Sequence, residues 1–281
     1  MMIKIYEAEN GVDAHLLCDL LKNEGLHARI DGEFLQGGIG DLQASGLVRV
    51  MIKASEYEQG RKIIDAWENY EDPYAALNLN VIKLDNKQSI ASKVVCIGRN
   101  YVAHIKELNN EMPTQPVIFV KSNSTITDEL CSGDGEAIHY EGEISFVVQD
   151  GMLSAVGFGL DLTKRELQSQ LKAKGLPWER AKAFDKAAVF SEFVSFDGNI
   201  ESLSMELFIN GQLIQAGSTE LMMLKPKQVL NEIQSFMTLT DGDIIMTGTP
   251  KGVGELLKGD VFVGKILQNN ELLVEAKWTV Q

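Results

Sequence analysis

The sequence predicts an α+β protein built in two unequal parts, and three observations carry that prediction. Helix-period and strand-period hydrophobic patterns alternate over the first 72 residues, the rest is rich in short strands, and a polar stretch beginning at Asp72-Pro73 separates the two. At 281 residues and 44% hydrophobic content, the chain can bury one large core or two smaller ones.

The first part opens with the strand Ile3-Lys4-Ile5-Tyr6. A helix from Val12 to Glu24 follows, with Leu16, Leu17, Leu20 and Leu21 at helical spacing. Ala28-Arg29-Ile30 reads as a strand, Gln36-Gly37-Gly38-Ile39-Gly40 as a Gly-rich turn, Val48 to Ile52 as another strand, and Glu56 to Trp67 as a helix. That β-α-β-β-α order begins a ferredoxin-like sandwich over residues 1–72. Residues 73–91 read as a linker, because Asp-Pro followed by polar sequence marks a stretch that few contacts cross. The larger part, 92–281, places strands at Val117–Val120, Ile144–Val148, Ile244–Met246, Val261–Ile266 and Leu272–Ala276. A hairpin is expected at Asn210-Gly211, where an Asn-Gly pair lies between apolar runs.

Charge and cysteine content narrow the function class. A net charge of −14 argues against a nucleic-acid surface, and the first part alone carries 7 basic against 14 acidic residues. No apolar run approaches the roughly 20 residues that span a bilayer, and Met1-Met2-Ile3-Lys4-Ile5 lacks the apolar segment of a signal peptide. Cys18, Cys96 and Cys131 are in no metal-type spacing, which points to reduced thiols and a cytoplasmic setting.

Three constellations carry chemistry. Glu141 and Glu143 lie two apart in a strand-like run, so their side chains share a face ~6.5 Å apart. Alone, the pair could simply line a solvated strand face. Asp161, at the exit of the apolar run Ala155–Leu160, could cap the helix that follows or supply a third carboxylate. An all-oxygen set suits Mg²⁺ or Mn²⁺, with Ca²⁺ admissible. His104 and Glu107 lie three apart after the strand ending at Gly98, so the carboxylate can orient the imidazole and raise its basicity, although a surface ion pair would have the same spacing. The run Thr247-Gly248-Thr249-Pro250-Lys251-Gly252-Val253-Gly254 can present backbone N–H groups to an anion and lacks the Walker A spacing.

In order along the chain, these motifs resemble the fumarylacetoacetate hydrolase family. Gly98-Arg99-Asn100-Tyr101, Glu141-x-Glu143, Leu160-Asp161-Leu162-Thr163, Gly175-Leu176-Pro177-Trp178, Lys182-Ala183-Phe184-Asp185 and Thr247 to Gly254 carry the likeness, which is nearest to the acylpyruvase and oxaloacetate-decarboxylase branch. The resemblance implies a mixed β-sandwich roll, with Glu141, Glu143 and Asp161 as ligands to Mg²⁺ or Mn²⁺. It also implies His104 and Glu107 as a catalytic dyad on a lid helix, and Lys182 on the substrate's oxo group. Arg165 and Gln168 would line the pocket, Gly248 and Thr249 would hold the substrate carboxylate, and the catalytic body would be a homodimer. Ser122, Tyr140 and Ala188-Val189 depart from common family residues without removing a catalytic group. The first part resembles a PII-like bacterial family described as signal-transducing, through Asp13-Ala14-His15-Leu16-Leu17 and Glu24-Gly25-Leu26.

The expected activity is metal-dependent hydrolysis of a C–C bond in acylpyruvate-type 2-oxo acids such as acetylpyruvate or fumarylpyruvate, releasing pyruvate. The same site would serve oxaloacetate decarboxylation or 2-oxo acid tautomerisation. A metal-dependent 2-oxo acid sensor is the competing class; it would need metal and ligand but not the base, and His104 and Glu107 are both present.

Overall fold

The computed structural model describes residues 1–8, 11–32, 48–68, 79–133, 135–196 and 198–281. The expected turn at Gln36–Gly40 and the Asp72-Pro73 junction lie outside them. The chain divides into two compact units, Met1–Leu77 and Asn78–Gln281.

The first unit has strand Met2–Ala8, helix Gly11–Asn23, strands Ala28–Asp31 and Val48–Lys53, and helix Tyr57–Glu68, in the expected β-α-β-β-α order. Val48–Lys53 is the middle strand and pairs antiparallel with both others. Its alternation buries Val48, Val50 and Ile52 against Leu17 and Leu21 of the first helix and Ile64 of the second. Leu16, expected on the apolar face, is exposed: the buried stripe runs through Leu17 and Leu21, one residue round the helix.

The second unit is β-rich. Its largest sheet runs Val117–Ser122, Lys93–Gly98, Ile244–Met246, Gly142–Gln149, Met152–Asp161, Ala188–Phe190, Ile126–Thr127, with Val194–Ser195 paired beside Met152–Asp161. A four-stranded sheet, in the order Gln212–Ser218, Leu203–Ile209, Val261–Gln268, Glu271–Thr279, packs on one face of it. Ile144, Phe146, Phe158 and Leu160 meet Met205, Leu207, Phe262 and Trp278 there. Fully burying a Phe of this kind stabilises the fold by roughly 2–3 kcal/mol. Elsewhere on the large sheet, Val95, Ile97 and Ile245 bury against Val229, Leu230 and Ile233 of helix Pro226–Gln234.

The Asn210-Gly211 hairpin forms with both residues at positive φ, 51° and 81°. Asp85-Asn86, Asp150-Gly151 and Asn269-Asn270 make the same left-handed pair between strands, a signal that sequence reading passed over. The first of these corrects the linker. Val81–Leu84 and Lys87–Ile90 form a hairpin inside the stretch expected to be linker. Ile82 is 3% exposed in a core with Val94, Cys96 and Phe193, and Asp85 accepts bonds from the backbone N–H and hydroxyl of Ser195. Two short strands with a single buried residue between them, Ile82, carry little hydrophobic signal, so the segment reads as polar linker although it belongs to the second unit.

Candidate metal centre and active site

Glu141 sits where the chain leaves one sheet for another: Ile138–Tyr140 belongs to a small three-stranded sheet and Gly142–Gln149 to the large one. The two glutamates therefore do not lie on one continuous strand as expected, yet their carboxylates still converge. Asp161 ends the neighbouring strand, donating its backbone N–H to Glu141 O at 2.9 Å. It is not a helix cap, because Lys164 occupies the N-cap position of helix Arg165–Ala173. Glu141, Glu143 and Asp161 are all buried and each offers an oxygen within 4.8 Å of the others.

Three cations stand among these carboxylates. Lys182 Nζ, 3% exposed, donates to Glu141 Oε2 at 2.8 Å, Asp161 Oδ2 at 2.7 Å and Thr163 Oγ1 at 2.7 Å. Arg165 donates one guanidinium nitrogen to Glu141 Oε1 and the other to Gln168 Oε1 at 2.9 Å. Lys121 Nζ lies 2.9 Å from Asp161 Oδ1, but it donates to the carbonyls of Leu162, Lys182 and Ala187. That Asp161 oxygen thus has a nearby charge and no directed hydrogen bond.

The electrostatics separate the three acids. Burial alone would raise Glu141, but Lys182, Arg165 and His104 outweigh it and hold the carboxyl well below its ordinary range. Burial, reinforced by Asp161 and Glu141, pushes Glu143 well above that range, outweighing the backbone hydrogen bond from Gly248 and the charge of Lys182. Among the described residues no basic group pairs with Glu143. A buried carboxylate in that position takes either a proton or a cation. With the undirected Asp161 oxygen beside it, the donor set fits a hard divalent ion bound through oxygen.

Strand Lys93–Gly98 leads to the candidate base, His104. Arg99 follows at φ 57°, turning the chain into helix Val102–Glu107, on which His104 is 5% exposed. His104 Nδ1 is 3.2 Å from Glu107 Oε2, while Glu107 Oε1 accepts the Gly252 N–H at 2.9 Å. Since a carboxylate only accepts, Nδ1 carries the hydrogen, and in the neutral ring the lone pair is on Nε2. His104, Arg165, Gln168, Lys182 and Glu141 line one cavity of about 250 Å³.

Gly248 and Thr249, expected on the substrate carboxylate, are engaged inside the protein. Gly248 donates its N–H to Glu143 Oε2 at 2.7 Å. Thr249, 3% exposed, donates its hydroxyl to Gly142 O at 2.9 Å and accepts Gln215 Nε2 at 2.9 Å. The loop supports the acidic strand. Lys182 likewise has its three bonds within the protein.

Sequence reasoning assigned no role to Lys121, Gln215, Arg99, Lys172, Asn110, Phe119 or Trp178. The last five line the same cavity. Lys172 had a usable signal, being four residues after Gln168 and seven after Arg165 on one helix. Gln215 had none: its partners Gly142, Thr249 and Pro250 meet it only across the sheets.

Among the described residues no helix is long and apolar enough to cross a membrane. Residues 93–279 match the family model described as the C-terminal region of fumarylacetoacetate hydrolase, and residues 2–68 match one described as "Putative prokaryotic signal transducing protein". The mitochondrial oxaloacetate tautomerase of Saccharomyces cerevisiae is 36% identical over 239 residues, covering 68% of this chain and 92% of its own. The oxaloacetate tautomerase YcgM of Escherichia coli is 36% identical, over 60% of this chain and 85% of its own. A solved yeast protein of the fumarylacetoacetate hydrolase family is 35% identical with a TM-score of 0.58, covering 68% of this chain and 93% of that one. A fumarylpyruvate hydrolase from Pseudomonas aeruginosa, solved with Mn²⁺ and pyruvate, shares the fold at 24% identity and a TM-score of 0.65, over 72% of this chain and 95% of that one. The ordered motifs, the carboxylate cluster with its nearby dyad and these matches agree: the chain belongs to the fumarylacetoacetate hydrolase family of enzymes.

Proposed function

We propose that the enzyme interconverts the enol and keto forms of a small 2-oxo dicarboxylic acid, with oxaloacetate the best candidate. The observation that carries this reading is the single cavity lined by His104, which Glu107 orients from behind, by Glu141 of the acid cluster and by four basic side chains. The curated relatives named as oxaloacetate tautomerases support it. Glu141, Glu143 and Asp161 would hold Mg²⁺ or Mn²⁺, which when bound supplies positive charge for the substrate's carboxylate and 2-oxo oxygens.

The protein's own groups handle the proton and the orientation. His104 Nε2 takes a proton from C3 of the keto form and delivers it to the 2-oxo oxygen to complete the enol, the two transfers running in the opposite order in the reverse direction, while Glu107 keeps the imidazole in the required tautomer. Arg165 and Gln168, joined to each other at 2.9 Å, orient the oxo-acid end. Lys182, raised in basicity by Asp161 and Glu141 despite its burial, stays charged and stabilises developing enolate charge. Acylpyruvate cleavage, which sequence reading put first, is the second reading. It asks His104 to take the proton from water instead, and the intact dyad favours it over a sensor.

The enzyme would act as a cytoplasmic homodimer, and its first 72 residues would form a ferredoxin-like module. The ultraviolet decay of oxaloacetate enol with Mg²⁺ or Mn²⁺ tests the main reading, run beside pyruvate release from acetylpyruvate and from oxaloacetate. Enol decay no faster than in buffer with metal, together with rapid acetylpyruvate cleavage, would replace the first reading with the second. Tight binding without any turnover would favour a sensor.

A further inference from the structure

The cavity holds more positive charge than its acid accounts for. Arg99, Arg165, Lys172 and Lys182 all line it, and Glu141 is the one carboxylate among its described lining residues. Arg165 and Lys182 are explained, because both bind Glu141. Arg99 and Lys172 are not: among the described residues neither has a carboxylate within ion-pair distance. Instead both converge on one neutral acceptor. Lys172 Nζ donates to Asn110 Oδ1 at 3.0 Å and Arg99 donates to the same oxygen at 3.4 Å, with a second bond to Glu111 O at 3.4 Å.

This arrangement is unfavourable without a ligand. Lys172 is half-buried, and burial together with Arg99 and Arg165 lowers its pKa. Packing of its Nζ 5.9 Å from the Trp178 ring centroid explains where the stem lies, but not why a guanidinium shares its acceptor. Two like charges gathered on an amide oxygen beside a reaction cavity present a site for an anion. Gln168 and Lys172 stand one turn apart on the same face of helix Arg165–Ala173, an axial rise of about 6 Å. A dicarboxylate held at its oxo-acid end by Arg165 and Gln168 therefore has its second carboxylate on the side of Lys172.

We infer that Arg99 and Lys172, bridged by Asn110, form the subsite for the second carboxylate of a four-carbon 2-oxo diacid and so select it over acylpyruvates with a neutral tail. The assignment rests on the proposed function for the reacting end of the substrate. It also makes a separate claim about binding, so the two can fail independently.

The test uses the full chain loaded with Mg²⁺. Binding of malate and of lactate is measured by calorimetry; this non-reacting pair shares a 2-hydroxy acid end and differs in the second carboxylate. Wild type is expected to prefer malate. Lys172→Met should cut the malate-to-lactate affinity ratio about 10- to 100-fold, the worth of one charge-assisted hydrogen bond. Lys172→Arg should restore most of it. Asn110→Asp, which gives both cations an internal carboxylate, should reduce the ratio while leaving the thermal unfolding midpoint near wild type. The ratio of kcat/KM for oxaloacetate to that for acetylpyruvate should fall in parallel. No malate preference in wild type, or a Lys172→Met ratio equal to wild type, would overturn the inference. Should wild type turn over neither oxo acid, the functional reading fails and the malate-to-lactate ratio alone decides the subsite.

Discussion

Gly248 donates its backbone N–H to Glu143 Oε2 at 2.7 Å, so the C-terminal loop positions the one acid of the cluster that has no basic partner among the described residues. Gly248 reaches this geometry at φ 97°, and a Cβ there would lie 2.8 Å from Asn100 Cβ and 3.1 Å from Ile97 O. Only glycine occupies that conformation without strain.

Two substitutions separate the ligand from its support. Glu143→Ala should abolish Mn²⁺ binding and activity while the protein stays folded, since the sheet cores do not need the ion as a zinc finger does. Gly248→Ala should weaken Mn²⁺ binding and cost about 2 kcal/mol of stability, from the left-handed backbone and the contact with Asn100. Mn²⁺ titration followed by electron paramagnetic resonance, with thermal melts, checks both. Wild-type affinity in Glu143→Ala would remove it from the ligand set.

His104→Ala should keep the metal and bind oxalate, yet lose turnover by roughly 10²–10⁴-fold, the usual worth of a general base. Glu107→Gln should lose less, because Glu107 orients the ring and accepts the Gly252 N–H without itself carrying the proton. Near-normal turnover in His104→Ala would take histidine out of the mechanism.

Asp243 supplies a pH-dependent part of the stability. Its carboxylate is fully buried and accepts Ser92 Oγ at 2.7 Å, Lys93 Nζ at 2.5 Å and Thr240 N at 2.8 Å. Burial would raise its pKa, but the bonds from Lys93, Ser92 and Thr240 outweigh that and lower it. A carboxyl depressed in the folded state stabilises the fold above its unfolded pKa of about 3.9, and that contribution is lost as pH falls through the folded value. We expect Asp243→Asn to destabilise the protein by about 3 kcal/mol at pH 7, with the gap to wild type closing below about pH 4. Urea melts at several pH values measure this; a gap that widens on acidification would contradict it.

The corrected linker makes two truncations behave differently. Residues 79–281 should express as a soluble, active dimer, whereas residues 92–281 should fail to fold stably. The second piece loses Ile82 from the core, the Asp85–Ser195 bonds and the bond from Asn80 N to Asn123 Oδ1 at 2.8 Å. Light scattering and the enol assay compare them, and equal behaviour of the two pieces would return the hairpin to the linker.

Much of this protein was legible one residue at a time. The strand–helix order of the first unit follows from hydrophobic period, the Asn210-Gly211 hairpin from turn chemistry, and the candidate acids Glu141, Glu143 and Asp161 from residue type in an ordered motif set. Such features are local, because period and backbone preference act over a few positions. The partners of those residues were not legible. Lys182 reaches Glu141 and Asp161 across 41 and 21 residues of chain, Gly248 reaches Glu143 across 105, and Gln215 holds Gly142 across 73. The sequence by itself determined which acids, bases and cations are available. Only the tertiary structure decided which cation neutralises which acid, which backbone N–H meets Glu143, and which two cations, Arg99 and Lys172, remain without an acidic partner among the described residues. Those outcomes depend on burial and on distances between strands far apart in the chain, and no local pattern encodes them.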